Sequence, residues 1–428
     1  MKKVNNNKGF NKNFWTAIFM EFIERGSYYG VMSVLSVYLV MSLDEGGLGF
    51  SRQSVGAIKS TIVPLLYLIP IFSGAIADRF GYRKILFFAF SLMSIGYFFA
   101  GFSASYHTIF ASLLIMAFGC GLFKPIVSAT ISRETTEENS SLGFGIFYWS
   151  INLGSFLFPL ILVPYLKHFS FSYIFFLASF CTFMLLWVNL FVYKEPKRKE
   201  NQKTFSEVIK EMVLVLKDFR FVIMIVIYSG FWILYFQMFD TVLWYVRDYV
   251  DASSLNIYVN KFLSLFVSSP NWQFDIEHVT VINAGAIISL QILISAIVKK
   301  WKALPTMCLG IGFGTLGMLV ISVSSSIWVF IIGTFVFTIG EMVAHPKFIS
   351  YIGQTSPEDK KALYMGYSFL FGVIGSGVGG ILGAYLYVYF VDQLHNPTLL
   401  WLTFSAIGFS SIIGLLFYDW YYNKRKKA

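Results

Sequence analysis

The sequence is short of charge. Asp, Glu, Lys and Arg make up 13% of its 428 residues, about half the share typical of a soluble globular domain. A soluble fold of this size is therefore excluded. Cysteine is scarce as well: Cys120, Cys181 and Cys308 each fall inside an apolar run. They build no disulfide framework and stand at no metal-ligand spacing. The five histidines are scattered, and none pairs with a cysteine at ligand spacing. Without a nucleophile–base or metal constellation, neither an enzyme nor a bound cofactor is expected. Segments of about ten residues with alternating hydrophobicity are missing, which excludes an outer-membrane barrel. No polar stretch is long enough for a soluble signalling domain, so a receptor is disfavoured. No small-residue cleavage site follows the first apolar run, which reads as a retained span.

What the chain has is apolar length: 56% of it is hydrophobic, with 47 phenylalanines. Crossing the ~30 Å hydrocarbon core of a bilayer takes about 20 helical residues. Runs of that size predict twelve spans, at about 14–43, 52–76, 84–103, 106–131, 141–166, 171–193, 220–246, 278–298, 303–323, 327–352, 361–390 and 398–420. The expected fold class is an all-α integral membrane protein, embedded in the lipid bilayer. The net charge of +10 is concentrated at the N-terminus to Asn13, in Lys194–Lys203 and in the tail Lys424–Lys427. Basic clusters flanking spans mark the cytoplasmic side of a cell membrane. Both termini are thus expected inside, and a nucleic-acid partner is not. Residues 194–219 form the longest interior polar stretch. They divide the chain into six-helix bundles at 1–193 and 220–428. Within that linker, 205–216 reads as an amphipathic surface helix, and 255–266 as a second one on the outside. The Gly375–Gly380 run matches GxGxxG formally but lies in an apolar segment with no preceding strand. Gly375, Gly379 and Gly383 instead form a ridge for close helix packing.

The first apolar run contains Glu21-Phe-Ile-Glu24-Arg25. One charge at the bilayer centre costs about 2.5–3.5 kcal/mol, so such residues mark ion or substrate paths. Spacings of three and four put all three on one helical face. A self-neutralising pair that only packs helices would leave the second acid unexplained. Membrane-depth polar residues recur in every third span: Lys124 in span 4, Gln237 and Asp240 in span 7, and Glu341, His345 and Lys347 in span 10. That period is expected of two six-helix halves built from three-helix repeats, with substrate held at the midplane. Arg25 and Lys124 fall in the first half, Asp240 and Glu341 in the second. Opposite signs on opposite walls suit a zwitterion. Glu21 and Glu24 are candidates for a proton relay, since low dielectric favours a protonated carboxyl. His345, one turn from Glu341, either titrates with them or is a hydrogen-bonded packing histidine. Lys59 in span 2 reads as a snorkelling lysine.

Gly74-Ala-Ile-Ala-Asp78-Arg79-Phe-Gly81-Tyr-Arg83-Lys84 resembles the signature loop of the major facilitator superfamily. Glu21-Phe-Ile-Glu24-Arg25-Gly-Ser-Tyr28-Tyr29-Gly30 resembles the ExxERFSYYG motif of the proton-dependent oligopeptide transporters. Gly119-Cys-Gly121-Leu-Phe-Lys124-Pro125 and Phe147-Tyr148-Trp-Ser-Ile-Asn152-Leu-Gly154 resemble that family's span 4 and span 5 signatures. Phe231-Trp232 with Gln237, and Gly340-Glu341 with Pro346, resemble spans 7 and 10. The resemblance implies proton-coupled import of di- and tripeptides by alternating access; the protein is expected to be a monomer. Carried over by motif, Arg25 and Lys124 hold the peptide carboxylate, and Tyr28, Tyr29 and Asn152 its backbone. Asn283 contacts the substrate, and Glu341 meets its amino end. Glu21 and Glu24 couple protons to Arg25 and Lys124. The chain also departs from the family. Gly26 replaces a Phe, Phe236 stands where an acid precedes the Gln, and His345 replaces a Ser. The short linker has no room for the two extra helices of many bacterial members. These departures keep open a relative that moves another small zwitterion, an organic anion or a drug. With Phe236 in the acid's place, Asp240 and His345 are the remaining coupling candidates.

Overall fold

The computed structural model describes residues 9–136, 138–195 and 205–424. The basic residues at 2, 3 and 8, at 197–203 and at 425–427 lie outside the described residues. Among the described residues seventeen α-helices follow one another: α1 (Lys12–Val40), α2 (Arg52–Phe80), α3 (Tyr82–Phe102), α4 (Tyr106–Glu134), α5 (Ser140–Leu157), α6 (Val163–Lys167), α7 (Ser172–Phe191), α8 (Phe205–Leu216), α9 (Phe219–Phe236), α10 (Thr241–Tyr249), α11 (Ser253–Leu263), α12 (Glu277–Val298), α13 (Ala303–Ile321), α14 (Ile327–Thr355), α15 (Lys361–Tyr367), α16 (Leu370–Tyr387) and α17 (Pro397–Asp419). Among the described residues there is no strand, only one isolated bridge between Asp251 and Ser326. Among the described residues, eleven helical runs are long and apolar enough to cross a membrane. The 29-residue α1 has the length as well, but Glu21, Glu24 and Arg25 dilute its apolar character. Large apolar side chains such as Phe99, Phe180, Ile292 and Ile413 are exposed on these helices, as a hydrocarbon surround requires. The chain is a multi-pass helical membrane protein.

The two short helices read from the linkers form as α8 and α11. Span 7 departs from expectation, because the single run over 220–246 is broken. After α9 comes a 3-10 turn, Gln237–Phe239, and Asp240 takes φ −135 and ψ −94 before α10 begins. Irregular backbone at membrane depth is tolerated only where protein or a water-filled cavity covers it. The Gln237 side chain bridges the break: Nε2 donates to the Ile233 and Gly379 carbonyls (2.8 and 3.1 Å), and Oε1 accepts from Thr241 Oγ1 (3.0 Å).

By contacts the chain forms two compact units. Unit 1 is Met1–Val31 with Leu68–Val208, and unit 2 is Met32–Tyr67 with Ile209–Ala428. In unit 1, α3 packs along α4 and α7, with Phe90 against Phe123 and Ser94 hydrogen-bonded to Ser179. In unit 2, α14 packs on α13 and α12, and α16 on α9. The Gly375–Gly379–Gly383 ridge lies on α9: a Cβ at Gly375 would stand 2.5 Å from Trp232 Cβ, and one at Gly383 would collide with Gln237. The missing side chains let the two helices close on the bridged break.

Candidate functional site

Unit 1 gathers the charges of α1 and α4. Arg25 donates to Glu24 through Nε (2.5 Å) and Nη2 (2.6 Å), a two-pronged contact, and Glu21 Oε1 lies 3.7 Å from Arg25 Nε. All three are buried, Glu24 at 1% exposure. Glu21 Oε2 has no hydrogen-bond partner among the described residues. The Arg25 guanidinium stands 5.0 Å over the Tyr28 ring, whose edge meets Tyr29 at 5.2 Å. On α4, Lys124 is close enough for its charge to act on Glu21, Glu24 and Arg25. The four charges expected to act together are therefore one cluster of two acids and two bases. Asn152 lies in the same unit on α5, but its Nδ2 donates to the Tyr148 carbonyl of its own helix (2.9 Å).

The glycine in the span 1 motif has a local explanation. A Cβ at Gly26 would stand 2.4 Å from the Phe158 ring, which fills that space from the π-helical turn after α5. The aromatic ring absent from α1 is supplied by a neighbour.

Unit 2 brings Glu341 and Asn283 together: Asn283 Nδ2 donates to Glu341 Oε2 (3.0 Å) and to Thr338 Oγ1 (3.1 Å). His345, one turn along α14, lies beside Tyr228, with 3.4 Å from Nδ1 to the phenol oxygen. The edges of Trp232 and Phe371 flank its ring at 5.4 and 5.7 Å. Phe236, at the position of the family's acid, packs edge-on against Tyr67. Asp240, one turn later, meets Lys59. Lys59 Nζ is 3.0 Å from Asp240 Oδ1 and 3.4 Å from the Phe239 carbonyl, at 3% exposure. The snorkelling reading of Lys59 is therefore wrong: burial beside a carboxylate holds it in place. Lys347 is also no part of the polar cluster, since its Nζ donates to the Lys299 and Trp301 carbonyls (3.3 and 2.8 Å) beyond the end of α12.

The two units repeat one device. Pro125 follows Lys124 inside α4, and Pro346 follows His345 inside α14. A proline within a helix frees the carbonyl four residues back. Ser73 Oγ donates to the freed Gly121 carbonyl (3.0 Å), and Gln291 Nε2 to the freed Met342 carbonyl (3.4 Å). The prolines and the spans that carry Ser73 and Gln291 are visible in the sequence; which carbonyl each side chain bonds is not.

The loop residues Asp78, Arg79 and Arg83 make their own separate contacts in unit 1. Asp78 Oδ1 accepts from Arg133 Nη2 and from Tyr82 Oη, each at 2.9 Å. Arg83 donates to the Asn189 and Leu190 carbonyls at the end of α7. The Glu195 carboxylate, which sequence reasoning missed, accepts from the Tyr82 and Arg83 amides and so caps α3. Arg79 lies over Phe80.

The Major Facilitator Superfamily model matches residues 14–272 and 259–428. The chain belongs to the major facilitator superfamily. Among curated members it is 36% identical to the uncharacterized transporter YclF of Bacillus subtilis over 156 residues, 36% of this chain and 32% of that one. It is 30% identical to a di-/tripeptide transporter of Lactococcus lactis over 226 residues, 50% of this chain and 44% of that protein. The matched stretches thus span less than half the length of these curated members. Solved structures superpose over nearly the whole fold. A peptide transporter POT in complex with sulfate gives a TM-score of 0.80 at 21% identity, covering 95% of this chain and 93% of that one. A POT family transporter in complex with 5-aminolevulinic acid gives 0.77 at 21%, covering 94% of each. The fold read from the signature loop is that of the superfamily.

Proposed function

We propose that this protein is a proton-coupled symporter that imports di- and tripeptides by alternating access. The observation that carries the reading is the unit 1 cluster of buried Glu21, Glu24 and Arg25 with half-buried Lys124, in the order of the oligopeptide-transporter motifs. Arg25 and Lys124 hold the substrate carboxylate, and Tyr28, Tyr29 and Asn152 bind its backbone. In unit 2, Glu341, steadied by Asn283, takes the ammonium. A carboxylate bound to Arg25 and Lys124 competes with Glu24 and Glu21 for the same cations, which couples substrate binding to proton uptake. The partnerless Glu21 Oε2 is the atom at which that proton resides. Asp240, paired with Lys59, supplies the acid that Phe236 does not. The bundles 1–193 and 220–428 are the moving halves, joined by 194–219. The protein acts as a monomer in the cell membrane with both termini in the cytoplasm, consistent with the basic flanks. The peptide-transporting relative supports the peptide reading. A second reading, transport of another small zwitterion, is favoured by His345 in place of the family's Ser and by the structural neighbour holding 5-aminolevulinic acid.

The Lys124 assignment is tested by uptake inhibition with dipeptides and their C-terminal amides. Lys124→Ala is expected to weaken the free acids more than the amides. Equal losses for both would remove the carboxylate contact.

A further inference from the structure

His345 stands where Lys124 stands in the other unit: each precedes the proline of its helix, and each proline's freed carbonyl is bonded by a neighbouring helix. Spans 4 and 10 are the corresponding members of the two halves. In unit 1 that position carries a cation. In unit 2 it carries an imidazole held in a defined orientation, with Trp232 and Phe371 edge-on at its sides and Tyr228 at Nδ1. A phenol is a better donor than a neutral imidazole N–H, and an imidazole nitrogen is a better acceptor than a phenol oxygen. The Tyr228 hydroxyl therefore donates to Nδ1, which leaves the proton on Nε2. Nε2 makes no hydrogen bond among the described residues, nor is it one of the sealed polar atoms of the interior. Glu341, four residues earlier on the same partly exposed face, gives Oε2 to Asn283 and keeps Oε1 in the same open state. The α14 wall thus presents an acceptor and, one helical turn or ~5.4 Å along, a donor.

From this pairing we infer that His345 is a specificity-determining residue, whose Nε2–H selects substrates with a hydrogen-bond acceptor on the side chain of the N-terminal residue. The inference rests on the peptide-transport reading, with the substrate ammonium on Glu341. It moves His345 out of the proton-coupling set, where the sequence placed it. An N-terminal Gln, Asn, Glu or Asp carries such an acceptor about one helical turn from its ammonium. An aliphatic side chain of the same size leaves the N–H without a partner, beside three aromatic rings that cannot accept in its plane.

The test is a competition for dialanine uptake in proteoliposomes, using Gln-Ala and the near-isosteric Met-Ala. The wild-type protein is expected to favour Gln-Ala by about 3- to 10-fold, the span of one net hydrogen bond. In His345→Leu that ratio falls to about one, whatever happens to the absolute rate. In His345→Asn, which keeps a donor, part of it returns. Equal competition by the two peptides in the wild-type protein overturns the inference, as does a preference that survives His345→Leu. Both of those results leave dialanine uptake, and so the peptide reading, standing. Absence of any dialanine uptake by the wild-type protein instead removes the peptide reading and this inference with it.

Discussion

Lys59 and Asp240 form a buried ion pair within unit 2, with 3.0 Å between Nζ and Oδ1. The acid sits at the break between α9 and α10, where the backbone leaves helical geometry. A charge at this depth persists only when paired, since removing one partner leaves the other desolvated and uncompensated. Asp240→Asn is therefore expected to destabilise the protein by about 3–5 kcal/mol. The double variant Asp240→Asn with Lys59→Met should recover most of that loss. Thermal melting in detergent checks it, and a double variant melting no higher than the single one would contradict the pairing.

The Glu24–Arg25 contact, at 2.5 and 2.6 Å, predicts a split between two transport modes. Glu24→Gln should abolish accumulation of substrate driven by a proton gradient, because the coupling carboxylate is gone. Counterflow exchange needs no net proton movement and should survive. Unchanged gradient-driven accumulation in Glu24→Gln would rule out the relay.

Gly26 faces the ring of Phe158 at a distance no side chain can share. Gly26→Phe, which restores the family's residue, is expected to destabilise the protein by about 1–3 kcal/mol through overpacking. Adding Phe158→Ala should restore part of the loss. A Gly26→Phe protein with an unaltered melting temperature would mean that the ring moves aside freely.

The Ser73 hydroxyl is the donor for the carbonyl that Pro125 frees on α4. Ser73→Ala should destabilise by about 1–3 kcal/mol, as an orphaned buried acceptor does. Adding Pro125→Ala gives Gly121 its helical N–H partner back, so the double variant should melt above Ser73→Ala. If both prolines act alike, Gln291→Leu should have a smaller effect, because its bond to Met342 is longer, at 3.4 Å.

The sequence makes the helical architecture legible because hydrocarbon allows few alternatives to apolar helices of one length. The short helices over 205–216 and near 255–266 are legible from periodicity. The charged residues of spans 1, 4 and 10 are legible because charge at membrane depth is too costly to be incidental. What the sequence hides is partnership between distant segments. Lys59 looks like a residue near a membrane edge until Asp240 is placed beside it. Lys347 looks like a cavity residue until the end of α12 is seen to accept from it. The break at Gln237–Asp240 carries no glycine or proline, and only the Gln237 side chain and the glycine ridge of α16 reveal how it is held. Gly26 reads as a departure from its motif until Phe158 is found in the same space.

The central claim, that the acid–base cluster in unit 1 couples peptide binding to proton uptake, is tested most directly in liposomes containing a pH-sensitive dye. Dialanine added outside the purified, reconstituted protein should acidify the interior, and Lys124→Ala should abolish the response. A wild-type protein that gives no acidification with dialanine or a panel of small peptides would contradict the account. The superfamily fold would then stand, with a different substrate.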